Sequence, residues 1–385
     1  MIKVLMITPF VNLNVNAGNT IHQINIVKNL SKKIEINWIV QGNYKKENVR
    51  IIRVKREKYG ILSGIRLLKD CFKKINENYE TCDIIHDRGD LFCVGTLHKL
   101  IKKHKKPVIL QIDGDWVEAF VRSRNFFTIF KPFLKLWVKK MFQTADVLVP
   151  VSRTLAEKIE KEYKINKNKI IVNPNGVDIK LFSKIKSRSF NKKNPEILFM
   201  GAMGAWYDIN TILEAMKLLK KDGVSVSCTL ILSGLDFWPE LYENLKEFIK
   251  KNKLDVRIKK EVLHEKVPLE LSKADILIAP YFRQAYGFSP LKIFEYMAVK
   301  KPIISNNLPE IKEVLKNEEN ALLVSCENAE EMKEAIKRII NEKKLRKKIS
   351  ENAYKTVAKN YSWKKHAKTY ENIYEMLKTK FSKSS

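Results

Sequence analysis

The residues best placed to do chemistry lie in one stretch, Ser289-Pro290-Leu291-Lys292-Ile293-Phe294-Glu295-Tyr296-Met297-Ala298. Ser289-Pro290 reads as a helix opening, a hydroxyl for the N-cap followed by proline at the first helical position. The N–H groups of Leu291 and Lys292 then have no partner inside the helix and point outward from its start, where a phosphate is attracted. The Lys292 ammonium adds a point charge there. Glu295, three residues further on, shares a face with Lys292. A carboxylate so placed suits two adjacent sugar hydroxyls, such as a ribose 2′,3′ pair, with the phosphates nearer the helix start. A capped surface helix with an ordinary Lys–Glu pair has the same spacing. No Ser/His/Asp triad and no glycosidase-type carboxylate pair is evident. His22, His264 and His366 stand alone and read as structural.

The elements that must position this stretch follow from the hydropathy pattern. Short apolar runs at Lys3–Ile7, Ile34–Val40, Ile51–Val54, Ile84–His86, Val108–Ile112 and Val147–Val151 read as strands, with helical patterns such as Ile21–Leu30 and Leu91–Lys102 between them. Mostly apolar strands separated by helices form a parallel sheet covered on both faces. Residues 183–195 are polar, basic and aperiodic, and read as a linker. The alternation then restarts. Strands are predicted at Ile197–Gly201, Thr229–Gly234, Val256–Ile258, Ile276–Pro280 and Pro302–Ser305, and helices at Asn210–Leu219, Pro239–Lys250, Leu291–Val299 and Ala329–Ile340. The expected fold is α/β: two tandem Rossmann-like, doubly wound domains, 1–182 and 196–360, facing a cleft. In the tail, 361–385, Trp363, Ala367, Tyr370, Tyr374 and Leu377 recur at helical spacing, so this helix is expected to cross back and pack on the first domain.

The 385 residues carry 73 Lys+Arg against 43 Asp+Glu, a formal charge of +30, and lysines outnumber arginines 60 to 13. Such a surplus lacks the arginine forks that read base edges, so no specific nucleic-acid partner is expected. A diffuse positive field still attracts phosphates, nucleotides and anionic lipid. The five cysteines show no metal-ligand spacing, which points to a reducing compartment and to no structural metal. No apolar run reaches the ~18–20 residues of a spanning helix. The expected location is the cytoplasm, or the cytoplasmic face of a membrane.

The stretch around Glu295, together with Pro174-Asn-Gly-Val-Asp178 and Phe182, Ala274-Asp-Ile-Leu-Ile-Ala-Pro280 and Thr144-Ala-Asp-Val-Leu-Val-Pro-Val-Ser152, resembles the retaining glycosyltransferases of family 4, with the GT-B fold. The resemblance runs from Met1 to about Leu377 and is to a divergent Ser-Pro-Leu-Lys-x-Phe-Glu-Tyr-Met branch. It implies that Glu295 binds the donor ribose, that Ser289 and the backbone of Leu291 and Lys292 meet the donor diphosphate, and that Gly18 and Gly201 lie against the donor. Glycine at 18 is apt because a missing Cβ allows close approach; a plain turn glycine is the other reading. No cofactor is implied beyond a nucleoside-diphosphate sugar as co-substrate.

The chain departs from that family at several points. The first Glu of its motif is replaced by Gly287, and the Arg and Lys after the second-domain opening strand are missing from Gly201-Ala-Met-Gly-Ala-Trp-Tyr207. Lys292, with Arg283 or Lys266, is the candidate substitute for that charge. Asp113 stands where a histidine is common, and Arg88 where another is. Both are assigned to the reacting sugar or the acceptor, and Asp113 with Lys292 to catalysis; for Asp113 the alternative is a loop residue capping the next helix. Asp113-Gly114-Asp115 also spells the metal-binding tripeptide of the other major glycosyltransferase fold. The surrounding chain fits the metal-independent fold, so no metal site is expected.

In Arg122–Phe142 aromatics alternate with cations. Phe126, Phe130, Phe133 and Trp137 are candidate membrane contacts, with Pro132 bending the segment; a core-facing helix with solvated lysines is the alternative. The expected function is transfer of a sugar from a nucleoside-diphosphate sugar to a glycan or lipid-linked acceptor, in surface polysaccharide, glycolipid or glycoprotein glycan synthesis. The alternatives are a non-catalytic basic protein binding anionic membrane or RNA, and a nucleotide-sugar epimerase on the same architecture.

Overall fold

The computed structural model describes residues 1–15, 18–55, 61–102, 105–122, 125–185, 189–204, 206–284 and 287–382, without the side chains of 61–62, 122 and 125–127. The chain forms two compact units: Met1–Asn175 with Tyr286–Ser289 and Trp363–Ser385, and Gly176–Ala285 with Pro290–Ser362. Each is a Rossmann-like layer of parallel strands between helices.

The strands of the first unit are β1 (Ile2–Asn12), β2 (Ile34–Gln41), β3 (Val49–Arg53), β4 (Ile84–Arg88), β5 (Val108–Ile112) and β6 (Val147–Pro150), in the order β3-β2-β1-β4-β5-β6. All pairings are parallel, with Val4 opposite both Ile36 and Ile84. The central strands are apolar on both faces because helices cover both; every residue of Val108–Ile112 is buried. The helix Trp363–Ser382 closes this unit. Ala367, Tyr370, Ile373, Tyr374 and Leu377 share a core with Val4, Ile36 and Ile109, so the apolar stripe read in the tail is the packed face.

The second unit repeats the layer with β7 (Glu196–Ala202), β8 (Ser227–Ser233), β9 (Val256–Lys260), β10 (Ile276–Ala279), β11 (Ile303–Asn306) and β12 (Leu322–Val324), in the order β12-β11-β10-β7-β8-β9. Some of its helices are capped by side chains. Asp208 accepts from Thr211 N at 3.2 Å at the start of Ile209–Lys221, and Asn328 accepts from Glu331 N at 3.0 Å at the start of Ala329–Asn341.

The structure corrects the linker. The first passage between units falls at Asn175/Gly176, and the described part of 183–195 is bound to the second unit. Asn191 N donates to Asp275 Oδ1 at 3.1 Å, and the Arg346 guanidinium lies 3.8 Å from the centre of the Phe190 ring. A polar, aperiodic sequence is compatible with a tied-down segment when its backbone has such partners.

Candidate functional site

Ligands of an open α/β sheet bind beyond the carboxyl ends of the strands, where neighbouring strands send their connections in opposite directions. The strand orders put that point between β7 and β10 in the second unit, and between β1 and β4 in the first. Of the sequence-derived candidates, Gly201, Leu291, Lys292 and Glu295 lie on the elements around the point between β7 and β10, and Gly18 and Arg88 on those around the point between β1 and β4, with Asp113 on the next connection.

In the second unit the helix Leu291–Ala298 is anchored by Tyr296, whose hydroxyl accepts from Met200 N of β7 at 3.0 Å. Ile293 and Phe294 both donate to Pro290 O, at 2.9 and 3.3 Å. Among the described residues this leaves the Leu291 and Lys292 amides without a partner at the helix start. Lys292 lays its stem over Gly201: a Cβ there would be 3.1 Å from Lys292 Cε and 2.4 Å from Phe199 Cζ. Glycine at 201 is therefore demanded by the chain's own packing. The ammonium ends 5.3 Å from the Tyr207 ring centre, and no carboxylate among the described residues pairs with it. Arg283 and Lys266, the other candidate cations, are exposed.

Glu295 does not pair with Lys292. Its Oε1 lies 3.2 Å from Nε2 of His264, a residue that follows β9 and that the sequence left isolated. Burial lowers the imidazole pKa, but the Glu295 bond, reinforced by Asp178 and Glu265, outweighs this and holds it above the ordinary 6.5. Phe182, also buried, packs 6.1 Å from the same ring.

Ser289 is not the cap of this helix. Pro290, with ψ 74°, occupies the cap position and makes no side-chain bond, while Ser289 Oγ accepts from Asn175 N at 3.3 Å within the first unit. Gly287 beside it has φ +68°, and a Cβ there would meet Leu155 Cδ1 at 3.3 Å and Asp115 Cβ at 3.4 Å. The position requires glycine on conformational grounds.

In the first unit Arg88 ends β4, Asp113 follows β5, and the helix Gly18–Asn29 follows β1. Arg88 Nε lies 2.7 Å from Asp113 Oδ2, and Gln111 Nε2 donates to Asp113 Oδ1 at 2.8 Å. Burial raises the Asp113 pKa, but Arg88 first, then His22, Gln111 and His366, bring it below the usual carboxylate value. His22 Nδ1 lies 3.7 Å from Asp113 Oδ1, and His22 Nε2 lies 3.3 Å from His366 Nε2. Neither histidine is isolated, contrary to the reading above. Burial pushes the pKa of His22 and His86 down to about 4 and that of His366 to about 3, so these rings are neutral at pH 7. Gly18 begins its helix in open space, with nothing within 4 Å of a Cβ, so the chain's own packing does not demand glycine there.

The two carboxylates of Asp113-Gly114-Asp115 are engaged separately. Asp113 pairs with Arg88, whereas Asp115 pairs with Lys158 at 2.5 Å and caps Glu118 N at 3.0 Å. Among the described residues no three His, Cys, Asp or Glu side chains are grouped to hold a metal ion. In the aromatic segment Ile129, Phe130, Phe133 and Leu136 are exposed. Trp137 turns inward to pack on Leu91 and its neighbours and donates to Leu91 O at 3.0 Å, so it is not an outward contact. Pro132 lies in the first turn of the helix Lys131–Thr144, where proline is accommodated without a bend. The Phe126 side chain lies outside the described residues. No helix among the described residues is long and apolar enough to cross a membrane.

Three comparisons bear on this geometry. Residues 18–181 match the family described as Glycosyltransferase Family 4, and residues 182–356 match Glycosyl transferases group 1. An uncharacterised glycosyltransferase of Methanocaldococcus jannaschii is 27% identical over 97% of this chain and 98% of its own length. The O-antigen chain mannosyltransferase RfbU of Salmonella typhimurium is 28% identical over 54% of this chain and 55% of its own. Among solved structures, HepE of Anabaena in complex with UDP and glucose superposes with a TM-score of 0.75, at 15% identity, over 97% of this chain and 99% of that one. The last shares the two-Rossmann-domain fold.

Proposed function

From the premise that this chain belongs to the glycosyltransferases built of a family 4 half and a group 1 half, we propose that it moves a hexosyl group, with retention, from a nucleoside-diphosphate sugar to a glycan or lipid-linked acceptor. The observation that carries the reading is the set of groups beside β7 and β10: two amides and an ammonium that, among the described residues, have no hydrogen-bond acceptor and no carboxylate partner respectively and, one turn on, a carboxylate braced by an imidazole. The amides and Lys292 hold the diphosphate, and Glu295 takes the ribose hydroxyls. The UDP and glucose of the HepE complex support a nucleotide-sugar donor, and RfbU supports a surface-polysaccharide product.

On this reading the acceptor oxygen attacks the anomeric carbon from the face the diphosphate is leaving. The bond from that carbon to the phosphate oxygen breaks, and the acceptor proton passes to that oxygen. Lys292 and the helix amides stabilise the charge as it develops, so catalysis is positioning plus electrostatics, with no metal ion. Asp113 and Arg88 hold sugar hydroxyls. The exposed row Ile129, Phe130, Phe133 and Leu136, set among lysines, supports work on the cytoplasmic face of an anionic membrane.

Thermal unfolding against UDP, GDP, ADP and their sugars tests the donor site. Ligand at a hundred times its dissociation constant stabilises by about 2.7 kcal/mol. A shift given by one base and absent in Glu295→Ala supports the reading, whereas no shift with any of them overturns it.

A further inference from the structure

His22 carries a lone pair aimed at a carboxylate, and the hydrogen bonds around it fix that arrangement. His366 Nδ1 lies 2.7 Å from Pro174 O, which can only accept, so Nδ1 bears the proton. In a neutral ring His366 Nε2 is then an acceptor, and His22 Nε2, 3.3 Å away, must donate to it. That leaves His22 Nδ1 bare, 3.7 Å from Asp113 Oδ1, an atom that also only accepts while the carboxylate is ionised. Asp113 Oδ1 accepts from Gln111 Nε2 at 2.8 Å, but among the described residues no donor stands between that oxygen and His22 Nδ1, so two acceptors face each other.

The rest of the pocket is built in the same sense. Arg88 Nε and Asp113 Oδ2 are buried and 2.7 Å apart, yet not aligned as a hydrogen bond, so both keep capacity for a further polar partner. The imidazoles cannot turn freely, because Trp363 lies 5.2 Å from the His22 ring and Trp363 and Tyr370 flank His366 at 5.4 and 5.3 Å. Burial keeps both rings neutral, as the bond directions require.

We propose that His22 is a sugar-binding residue: its Nδ1 and Asp113 Oδ1 form a paired acceptor for two neighbouring hydroxyls of one sugar ring, with Arg88 donating to the hydroxyl oxygens. His366 is a positioning residue that fixes the His22 tautomer through Pro174. The inference deepens the glycosyltransferase reading and rests on it. The hydroxyls belong either to the donor sugar or to the acceptor, and the chemistry is the same.

Two-bond ¹H–¹⁵N correlation spectra of the full chain with ¹⁵N-labelled histidine test this. In the free protein His366 is expected protonated at Nδ1 and His22 at Nε2; a His22 protonated at Nδ1 overturns the proposal. UDP-glucose, UDP-galactose, UDP-N-acetylglucosamine and GDP-mannose form the donor arm, and the methyl glycosides of mannose, glucose and galactose, with and without UDP, form the acceptor arm. Movement of the His22 Nδ1 signal in one arm, absent with UDP or GDP alone, supports the proposal and names the source of the hydroxyls. A signal unmoved in both arms overturns it.

His22→Gln keeps an amide near the Nε2 position but places nothing at Nδ1. It is expected to weaken the sugar-bearing ligand roughly tenfold while leaving bare nucleoside diphosphate unchanged, and equal loss of both overturns the assignment. His366→Leu frees His22 to change tautomer and is expected to abolish the sugar-dependent signal, whereas a signal that persists removes the positioning role. Failure of the transferase reading looks different: neither bare diphosphates nor nucleotide sugars then stabilise the protein.

Discussion

His264 Nε2 lies 3.2 Å from Glu295 Oε1, so the carboxylate assigned to the nucleotide ribose is already oriented by a residue 31 positions away in the chain. One oxygen is held by the imidazole, and among the described residues no partner holds the other. Glu295→Ala is expected to abolish the stabilisation given by nucleoside diphosphate, and His264→Ala to weaken it without abolishing it. Nucleotide titrations of the two variants check this order. The raised His264 pKa also has a sign: its contribution to stability is present below about pH 6.5 and is lost as pH rises through the folded value.

His22, His86 and His366 act in the opposite direction. Their folded pKa values, about 4, 4 and 3, are below the ordinary 6.5, so the unfolded chain binds more protons between about pH 6.5 and 4. Stability falls as pH falls through that window. A group moved from 6.5 to about 4 contributes a loss of ~3 kcal/mol by pH 4. Urea midpoints at pH 7 and pH 5 should therefore differ, and His86→Asn should make the fall shallower. A midpoint that is flat from pH 7 to 5 would contradict the neutral, buried state of these rings.

Arg88 and Asp113, each side chain 18% exposed, form a largely buried charge contact in the first unit's site. Breaking a buried pair from one side costs ~3–5 kcal/mol because a charge is stranded. The remaining exposure places Arg88→Ala or Asp113→Ala at the low end of that range. The double variant should be less destabilised than the sum of the two, as read from denaturation midpoints. Arg88→Lys should not restore activity, since a point charge cannot reproduce the guanidinium fork.

The sheets were legible because strands buried on both faces must be apolar throughout, so runs such as Val108–Ile112 and Ile276–Ala279 stand out against basic helices. The strand Leu322–Val324 escaped notice: three residues carry no periodicity. The helix Lys343–Asn360 was equally hidden, since lysines dominate its start and its buried face is only Ile349, Ser350, Ala353 and Val357. Glu295 could be singled out by its spacing from Lys292 and by the resemblance, and Asp113 by the resemblance alone, which places a histidine there. Their histidine partners could not, because His22 and His366 meet across 344 positions only once the last helix docks. One signal was available for His22: a side chain in the second turn of the helix that follows β1 faces the carboxyl edge of that sheet. Ser289 was misread because nothing in the sequence shows that Pro290 takes ψ 74° and occupies the cap position itself.

Gly287 stands where the resembled family carries a Glu, and restoring that Glu is expected to harm the protein. A side chain at φ +68° costs roughly 1–2 kcal/mol in backbone strain, before its atoms meet Leu155 and Asp115. Gly287→Glu should lower the melting temperature and give no gain in nucleotide-sugar turnover. Gain of turnover without loss of stability would mean that this loop is not held as described.

The exposed row Ile129, Phe130, Phe133 and Leu136 separates two kinds of membrane attraction. Lysines near an anionic surface contribute about 1 kcal/mol each and are screened by salt, while a buried apolar side chain contributes ~1.5–3 kcal/mol that salt does not screen. Phe133→Ser with Leu136→Ser should therefore weaken sedimentation with phosphatidylglycerol vesicles at least tenfold, and the part of the binding that survives high salt should be lost first. Trp137→Phe should leave vesicle binding intact, because that indole faces inward, and should cost about 1 kcal/mol of stability through the lost bond to Leu91 O. Binding by the double Ser variant equal to that of the parent would mean that the charge of +30 alone carries the attraction and that this row does not enter the bilayer.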